Sequence, residues 1–473
     1  MMTDETIHSE DPSDTLADGA PDPAPGLAPP VPNPDNTSPL KGAGERSLSA
    51  AIAFLAKWFE QKATRPLDRV METEFRNRRD LNSSERRWIG SVVFGCVRYL
   101  RRQEFLLEKL GLPNTPENLC RLWAMSPADD EPAVTFRFTL ALVSQEQLAE
   151  ALALLPTRDN PKEYLRITLA FPDEMATELE ELLGAEAILA GESLNKQAPI
   201  TLRVNTLKTT PSRLIPRLPP GLATPARYSP IGIQLATRVN ITGLTGWKEG
   251  FFEAQEEASQ IVSLLLDAKP GETVVDVGAG AGGKTLALGA AMQGKGRLIA
   301  LDLPSLRFGQ LQERVRRAGI RNLEMLTMNA TEAGEWQPDD FAKRKLGGLI
   351  HKCDAVMVDS PCSGSGVLRR NPDTKWRVND LAEFARLQLL LLSQSARLVK
   401  PGGRLLYVTC AFERIQNEDV VADFLKSEIG SGFAVEDIPA EFVPFASSEA
   451  PVIRTWAHRH QMDSFFALQM RRK

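Results

Sequence analysis

The chain has 473 residues, 42% of them hydrophobic, with 56 Lys or Arg against 61 Asp or Glu and five cysteines. That length holds two or three domains with cores of their own, and no apolar run approaches the ~18 to 20 residues that cross a bilayer. The N-terminus is acidic rather than a basic leader, and scattered cysteines without a C-x-x-C pair make neither a disulfide framework nor a zinc site; a monomeric cytoplasmic protein with reduced thiols, no metal and no membrane partner is expected.

The net charge of −5 is unevenly spread. Residues 1–46 carry nine acids against Lys41 and Arg46, together with nine of the 33 prolines and no aromatic residue. Such a tail buries too little apolar area to offset the entropy of ordering, so it is expected to be disordered. Without it the chain is net positive, which keeps a nucleic-acid partner open.

From residue 47 to about 156, apolar residues recur at helical spacing, as in Ala51, Phe54, Leu55 and Trp58, which predicts an all-α domain. Between Lys62 and Arg102 stand eleven Lys or Arg and five acids. A charge run of this kind is often only a solvated helix face. Its arginines, Arg78, Arg79, Arg86 and Arg87 among them, also suit bidentate pairing with phosphates. Residues 157–250 read as a linking subdomain, with a helical acidic stretch at Pro172 to Gly184 and a strand at Ile200 to Asn205.

From 251 to 473 short β-branched runs alternate with amphipathic helices. Candidate strands are Thr273 to Val277, Arg297 to Asp302, Leu323 to Met328, Ala355 to Asp359, Arg404 to Thr409, Phe433 to Glu436 and Phe465 to Met470. Alternation of this kind predicts an α/β domain with a mostly parallel sheet, whose ligands bind at the carboxyl ends of the strands.

The first of those ends carries Asp276-Val277-Gly278-Ala279-Gly280-Ala281-Gly282-Gly283-Lys284-Thr285. Gly278, Gly283, Lys284 and Thr285 have P-loop spacing, and Val356 to Asp359 would serve as the magnesium-binding strand of an NTPase. The next strand, however, ends in Asp302. A carboxylate there accepts hydrogen bonds from both hydroxyls of a ribose and would repel a triphosphate, so a nucleoside cofactor without phosphates fits better. The bland alternative is that Asp302 caps the following helix. Two thiols also fall at strand ends, Cys362 just after Asp359 and Cys410 just after Thr409. A lone free cysteine is usually a small hydrophobe, but two at neighbouring carboxyl edges point to chemistry.

The run Asp359-Ser360-Pro361-Cys362-Ser363-Gly364-Ser365-Gly366-Val367-Leu368-Arg369-Arg370-Asn371-Pro372-Asp373-Thr374-Lys375-Trp376, with Thr409-Cys410 after it, resembles the RsmB/Sun-type (Nsun) family of RNA cytosine-5 methyltransferases. The likeness extends to Arg203-Val204-Asn205-Thr206-Leu207, to Gln255-Glu256-Glu257-Ala258-Ser259-Gln260 and to Phe465-Phe466-Ala467. The basic helical region resembles that family's NusB-like RNA-binding domain, so the resemblance spans about Ser47 to Lys473.

The resemblance implies a Rossmann-like, seven-stranded S-adenosylmethionine-dependent methyltransferase domain behind the helical one. It implies that Gly278, Ala279, Gly280, Ala281, Gly282, Gly283 and Lys284 hold the methionine end of the cofactor, Asp302 its ribose and Asn329 its adenine, while Asp359 faces both cofactor and base. RNA is the implied partner, a 16S rRNA before or during small-subunit assembly, with Arg203 and Asn205 among its contacts. In the implied chemistry Cys410 adds to carbon 6 of cytosine, Asp359 stabilises the adduct at N3, and Cys362 removes the carbon-5 proton for release. Lys284 or Lys375 would lower the thiol pKa. Three departures stand out: Ala281 replaces a proline, Asn329 an acid, and Ala411-Phe412-Glu413-Arg414 the usual serine-started sequence. A catalytically silent RNA-binding assembly factor and a P-loop NTPase are the alternatives.

Overall fold

The computed structural model describes residues 43–473, apart from 63–64, 128–141, 332–333, 378–379 and 448–449. The acidic tail therefore lies outside the described residues up to 42. Residues 43–46, expected to belong to it, instead form the first turn of a helix, where Arg46 pairs with the buried Glu85.

Among the described residues, six helices build the N-terminal part: α1 (Ala43–Gln61), α2 (Leu67–Asn77), α3 (Ser83–Arg98), α4 (Leu100–Lys109), α5 (Pro116–Met125) and α6 (Gln145–Ala153). Helix α1 buries Ala51, Phe54, Leu55 and Trp58, an i, i+3, i+4, i+7 stripe. Helix α3 starts on a capping box in which Asn82 Oδ1 accepts from the Ser84 and Glu85 N–H groups and Glu85 accepts from the Asn82 N–H. The two helices share one apolar core with α5.

Helices at Asp173–Leu183 and Ala187–Asn195 lead into an antiparallel sheet of β1 (Ile200–Val204), β2 (Ala223–Pro225), β3 (Gly232–Leu235) and β4 (Phe252–Ala254), ordered β2-β3-β1-β4. Strand β4 extends this sheet past residue 250, the expected boundary.

The large sheet contains β5 (Thr273–Val277), β6 (Arg297–Asp302), β7 (Leu323–Ala330), β8 (Trp336–Pro338), β9 (Cys353–Asp359), β10 (Val399–Thr409), β11 (Phe433–Val435), β12 (Ile453–Arg454) and β13 (Phe466–Arg472). Its order is β11-β13-β10-β9-β5-β6-β7-β8, with β12 paired to β13. All seven expected strands form, and the short β8 and β12 make nine among the described residues. The central five, β10 to β7, run parallel. Helices cover both faces, so Val274, Val275, Ile299, Ala300, Val356, Met357, Leu405 and Leu406 have no exposed surface. The carboxyl ends of β6, β5, β9 and β10 lie side by side, which brings Asp302, Asp276, Asp359 and Cys410 to one edge.

Candidate active site

Strand β5 turns into the helix Gly283–Ala291 through a glycine loop. Gly278 has φ +81°, and a Cβ there would lie 2.1 Å from the Asp359 carbonyl oxygen, so glycine alone lets the loop close on β9. Asp302 ends β6, with Oδ2 accepting from the Gly280 N–H at 2.5 Å and Oδ1 from the Leu303 N–H at 2.6 Å. The next helix, Leu306–Ala318, is capped by Ser305, whose Oγ accepts from the Phe308 N–H. Asp302 is thus tied to the glycine loop and is not that helix's cap.

Thr285 is fully buried and donates its hydroxyl to Asp276 Oδ2 at 2.5 Å, while Lys284 Nζ pairs with Asp359 Oδ2 at 2.7 Å. The groups that would hold a metal and a phosphate in an NTPase are committed to carboxylates, which removes the P-loop reading. Burial opposes the Lys284 charge, but Asp359 outweighs it and holds the ammonium above its ordinary value.

Strand β9 continues into the Cys362 loop, and β10 into Cys410. The two sulfurs lie 3.4 Å apart, both partly exposed. They behave as one acid-base pair: the Cys410 thiol donating to sulfur and nearby backbone N–H groups hold Cys362 below its ordinary value, whereas that same hydrogen bond, burial and the Cys362 charge push Cys410 well above. Lys284 acts in the opposite direction on Cys410. Cys96, Cys120 and Cys353, by contrast, are enclosed in apolar cores.

Sequence reasoning missed what joins the two thiol loops. Glu413, Gln416, Ser363 and Ser365 are buried and bonded to one another between the loops. The alternation of serine with glycine at 363–366 and an acid three residues past Cys410 were the available signals.

Some expected positions are corrected. Arg203 and Asn205 are 1% and 3% exposed, so they are not surface RNA contacts. Arg203 Nε donates to Gln255 Oε1, and Asn205 Nδ2 donates to the Gly250 and Ala318 carbonyls, which fixes β1 against the catalytic domain. Lys375 is remote from the thiols in its contacts: its Nζ donates to the Arg98 and Leu169 carbonyls and to Asn195 Oδ1. Of the four arginines, Arg78 is paired with Asp80, and Arg86 donates to the Leu81 and Arg78 carbonyls. Arg79 and Arg87 are exposed. Asn329 stands exposed near the end of β7, paired in register with Gln337.

This sheet order, with a glycine loop after its central strand and an acid at the next strand end, defines a Rossmann-like S-adenosylmethionine-dependent methyltransferase. Residues 263–471 match the family described as 16S rRNA methyltransferase RsmB/F. It is 28% identical over 434 residues to a probable ribosomal RNA small subunit methyltransferase B of Synechocystis sp., covering 83% of this chain and 92% of that one. It is 32% identical over 250 residues to ribosomal RNA small subunit methyltransferase B of Pseudomonas syringae, about half of each chain. Among solved structures, a methyltransferase homologue from Pyrococcus horikoshii has a TM-score of 0.54 at 25% identity, over 65% of this chain and 98% of its own.

The site suits the cofactor of this class. A Cβ at Gly280 would meet nothing nearer than the Gly278 carbonyl oxygen at 4.0 Å, which leaves open space beside the loop, and the fully buried Asp276 keeps Oδ1 without a hydrogen-bond partner beneath it.

Proposed function

We propose that this protein methylates carbon 5 of a cytosine in 16S rRNA through a covalent cysteine adduct. The observation that supports this most is the thiol pair 3.4 Å apart at the strand ends that also carry the Lys284–Asp359 ion pair. Gly278 to Lys284 would hold the methionine end of S-adenosylmethionine, Asp302 its ribose and Asn329 its adenine. When bound, the cofactor supplies an electrophilic methyl group.

Carbon 5 of cytosine is a poor nucleophile because attack from it costs the ring its conjugation. Cys410, losing its proton within the thiol pair under the influence of Lys284, adds its sulfur to carbon 6. The ring electrons then sit on carbon 5, where the methyl is taken up, while Asp359, sharing a proton with N3, stabilises the charge that develops there. Cys362, having released to solvent the proton it took from Cys410, is again a thiolate and removes the carbon-5 proton; the C5–C6 double bond re-forms and the Cys410 sulfur leaves with the electrons of its bond. A base reacting this way must be unstacked, at a cost of a few kcal/mol, which favours loops or RNA before assembly. The basic face around Arg79 and Arg87 is the proposed phosphate contact.

The test is to incubate the protein with protein-free 16S rRNA and methyl-labelled S-adenosylmethionine, digest the RNA to nucleosides and separate them. Label in 5-methylcytidine is expected. Label in any other nucleoside, or none, contradicts the reading.

A further inference from the structure

The two reactive sulfurs are held in different ways. Cys410 follows β10 directly, and the last residues of that strand are bonded on both sides, Val408 in register with Asp359 and Thr409 with Phe466. Cys362 lies three residues past β9 in a loop. The far end of that loop is fixed by the Gly366 N–H donating to the Cys410 carbonyl at 2.9 Å. Beyond the Ser360 N–H, which donates to the Val408 carbonyl at 2.9 Å, the loop's placement falls to side chains.

Those side chains converge on Glu413, which is 3% exposed. Its Oε2 accepts from Ser365 Oγ at 2.7 Å, Gln416 Nε2 at 2.8 Å and Ser363 Oγ at 3.2 Å. Gln416 Oε1 in turn accepts from the Ser363 N–H at 2.9 Å, and Ser365 Oγ from the Phe412 N–H at 3.0 Å. Three donors aimed at one oxygen suit a carboxylate; an amide oxygen in that place accepts more weakly and brings an NH2 to the position of the second carboxylate oxygen.

We propose that Glu413 is a positioning residue, a carboxylate latch that holds the Cys362 loop against the Cys410 loop and thereby sets the release step of the reaction. This rests on the cysteine chemistry proposed above. The latch binds Ser363 and Ser365, the first and third residues after Cys362, while Cys410 keeps its place through the sheet. Loss of the latch therefore displaces the base that takes the carbon-5 proton and leaves attack intact. The adduct forms, is methylated, and persists. A hydrogen-bonded loop that shifts by about 1 Å can cost a step roughly a hundredfold.

Glu413→Gln tests this, because it keeps the side chain's shape and changes only its hydrogen-bonding character. Expected are a fall in kcat of roughly tenfold to a hundredfold, KM values that fall with it so that kcat/KM stays within about twofold of wild type, and an RNA-linked band on a denaturing gel. Wild-type kinetics, or lost activity with raised KM and no band, would overturn the latch. Should Glu413→Gln fail to fold, Ser365→Ala removes one donor and leaves the carboxylate; a band supports the latch and its absence overturns it. RNA carrying 5-fluorocytosine, whose carbon-5 fluorine no base removes, separates the two levels of the argument. If wild type is not trapped by it, the cysteine chemistry fails and the latch with it. If wild type is trapped and Glu413→Gln behaves like wild type on ordinary RNA, only the latch fails.

Discussion

Asp276 is an acid placed where ionisation is costly. Its side chain is fully enclosed, one oxygen has a single hydroxyl donor, and the other has none. Burial pushes its pKa up to about 7, with Asp359 and Asp302 adding to the rise and Thr285 and Lys284 opposing it. In the unfolded chain the value is about 3.9. Between those pH values the folded protein keeps a proton that the unfolded one has released. The stabilisation from this group is therefore complete below about pH 4 and is lost as pH rises through about 7. Asp276→Asn removes that dependence, so its melting temperature relative to wild type should increase from pH 5 to pH 8. A difference that stays constant with pH contradicts the placement. The acid at the first strand end was visible in the sequence as part of a motif, as were Asp302 and the two cysteines. Its enclosure was not, because burial depends on which strands flank β5. The same limit explains Arg203 and Asn205: a matching motif identified the positions, and only packing shows that their polar groups are spent on β1 and its neighbours.

At the level of elements, hydrophobic period carried most of the information. The stripe of α1 and the β-branched runs of the parallel strands were long enough to read. Strands β2, β3 and β4 have only three or four residues each, too few for an alternation to register. Within the basic run from Lys62 to Arg102, Arg78, Arg79, Arg86 and Arg87 are the expected phosphate contacts, and the structure divides them. Arg78 neutralises Asp80 and Arg86 supports the carbonyls of the turn between α2 and α3, whereas Arg79 and Arg87 face outward. Replacing Arg79 and Arg87 together by Gln should lower the slope of log affinity against log salt by about two units, roughly one per lost phosphate contact, and leave cofactor affinity unchanged. Filter binding across a salt series measures it. An unchanged slope returns this turn to an ordinary solvated face.

Across the whole molecule, the chain that leaves the Cys362 loop runs straight into the helical part. Trp376 Nε1 donates to the Val97 carbonyl, 279 positions away, Asp373 accepts from the Leu67 N–H, and Lys375 is buried among carbonyl and amide oxygens with its pKa pulled down by burial. The sequence displayed this run as a motif, but nothing local could show that its lysine and tryptophan hold two parts of the fold together. One thiol loop is thus anchored to the element proposed to meet RNA, and the other to the sheet. The central claim is that these thiols act in sequence, one to make the bond to carbon 6 and the other to let it break. The most direct measurement is a denaturing gel of the Cys410→Ala, Cys362→Ala and double variants after incubation with 16S rRNA and S-adenosylmethionine. Cys362→Ala should give a slow-migrating RNA-linked band, while Cys410→Ala and the double variant should give none. A band with Cys410→Ala alone would reverse the roles, and full turnover by both single variants would contradict covalent catalysis by this pair.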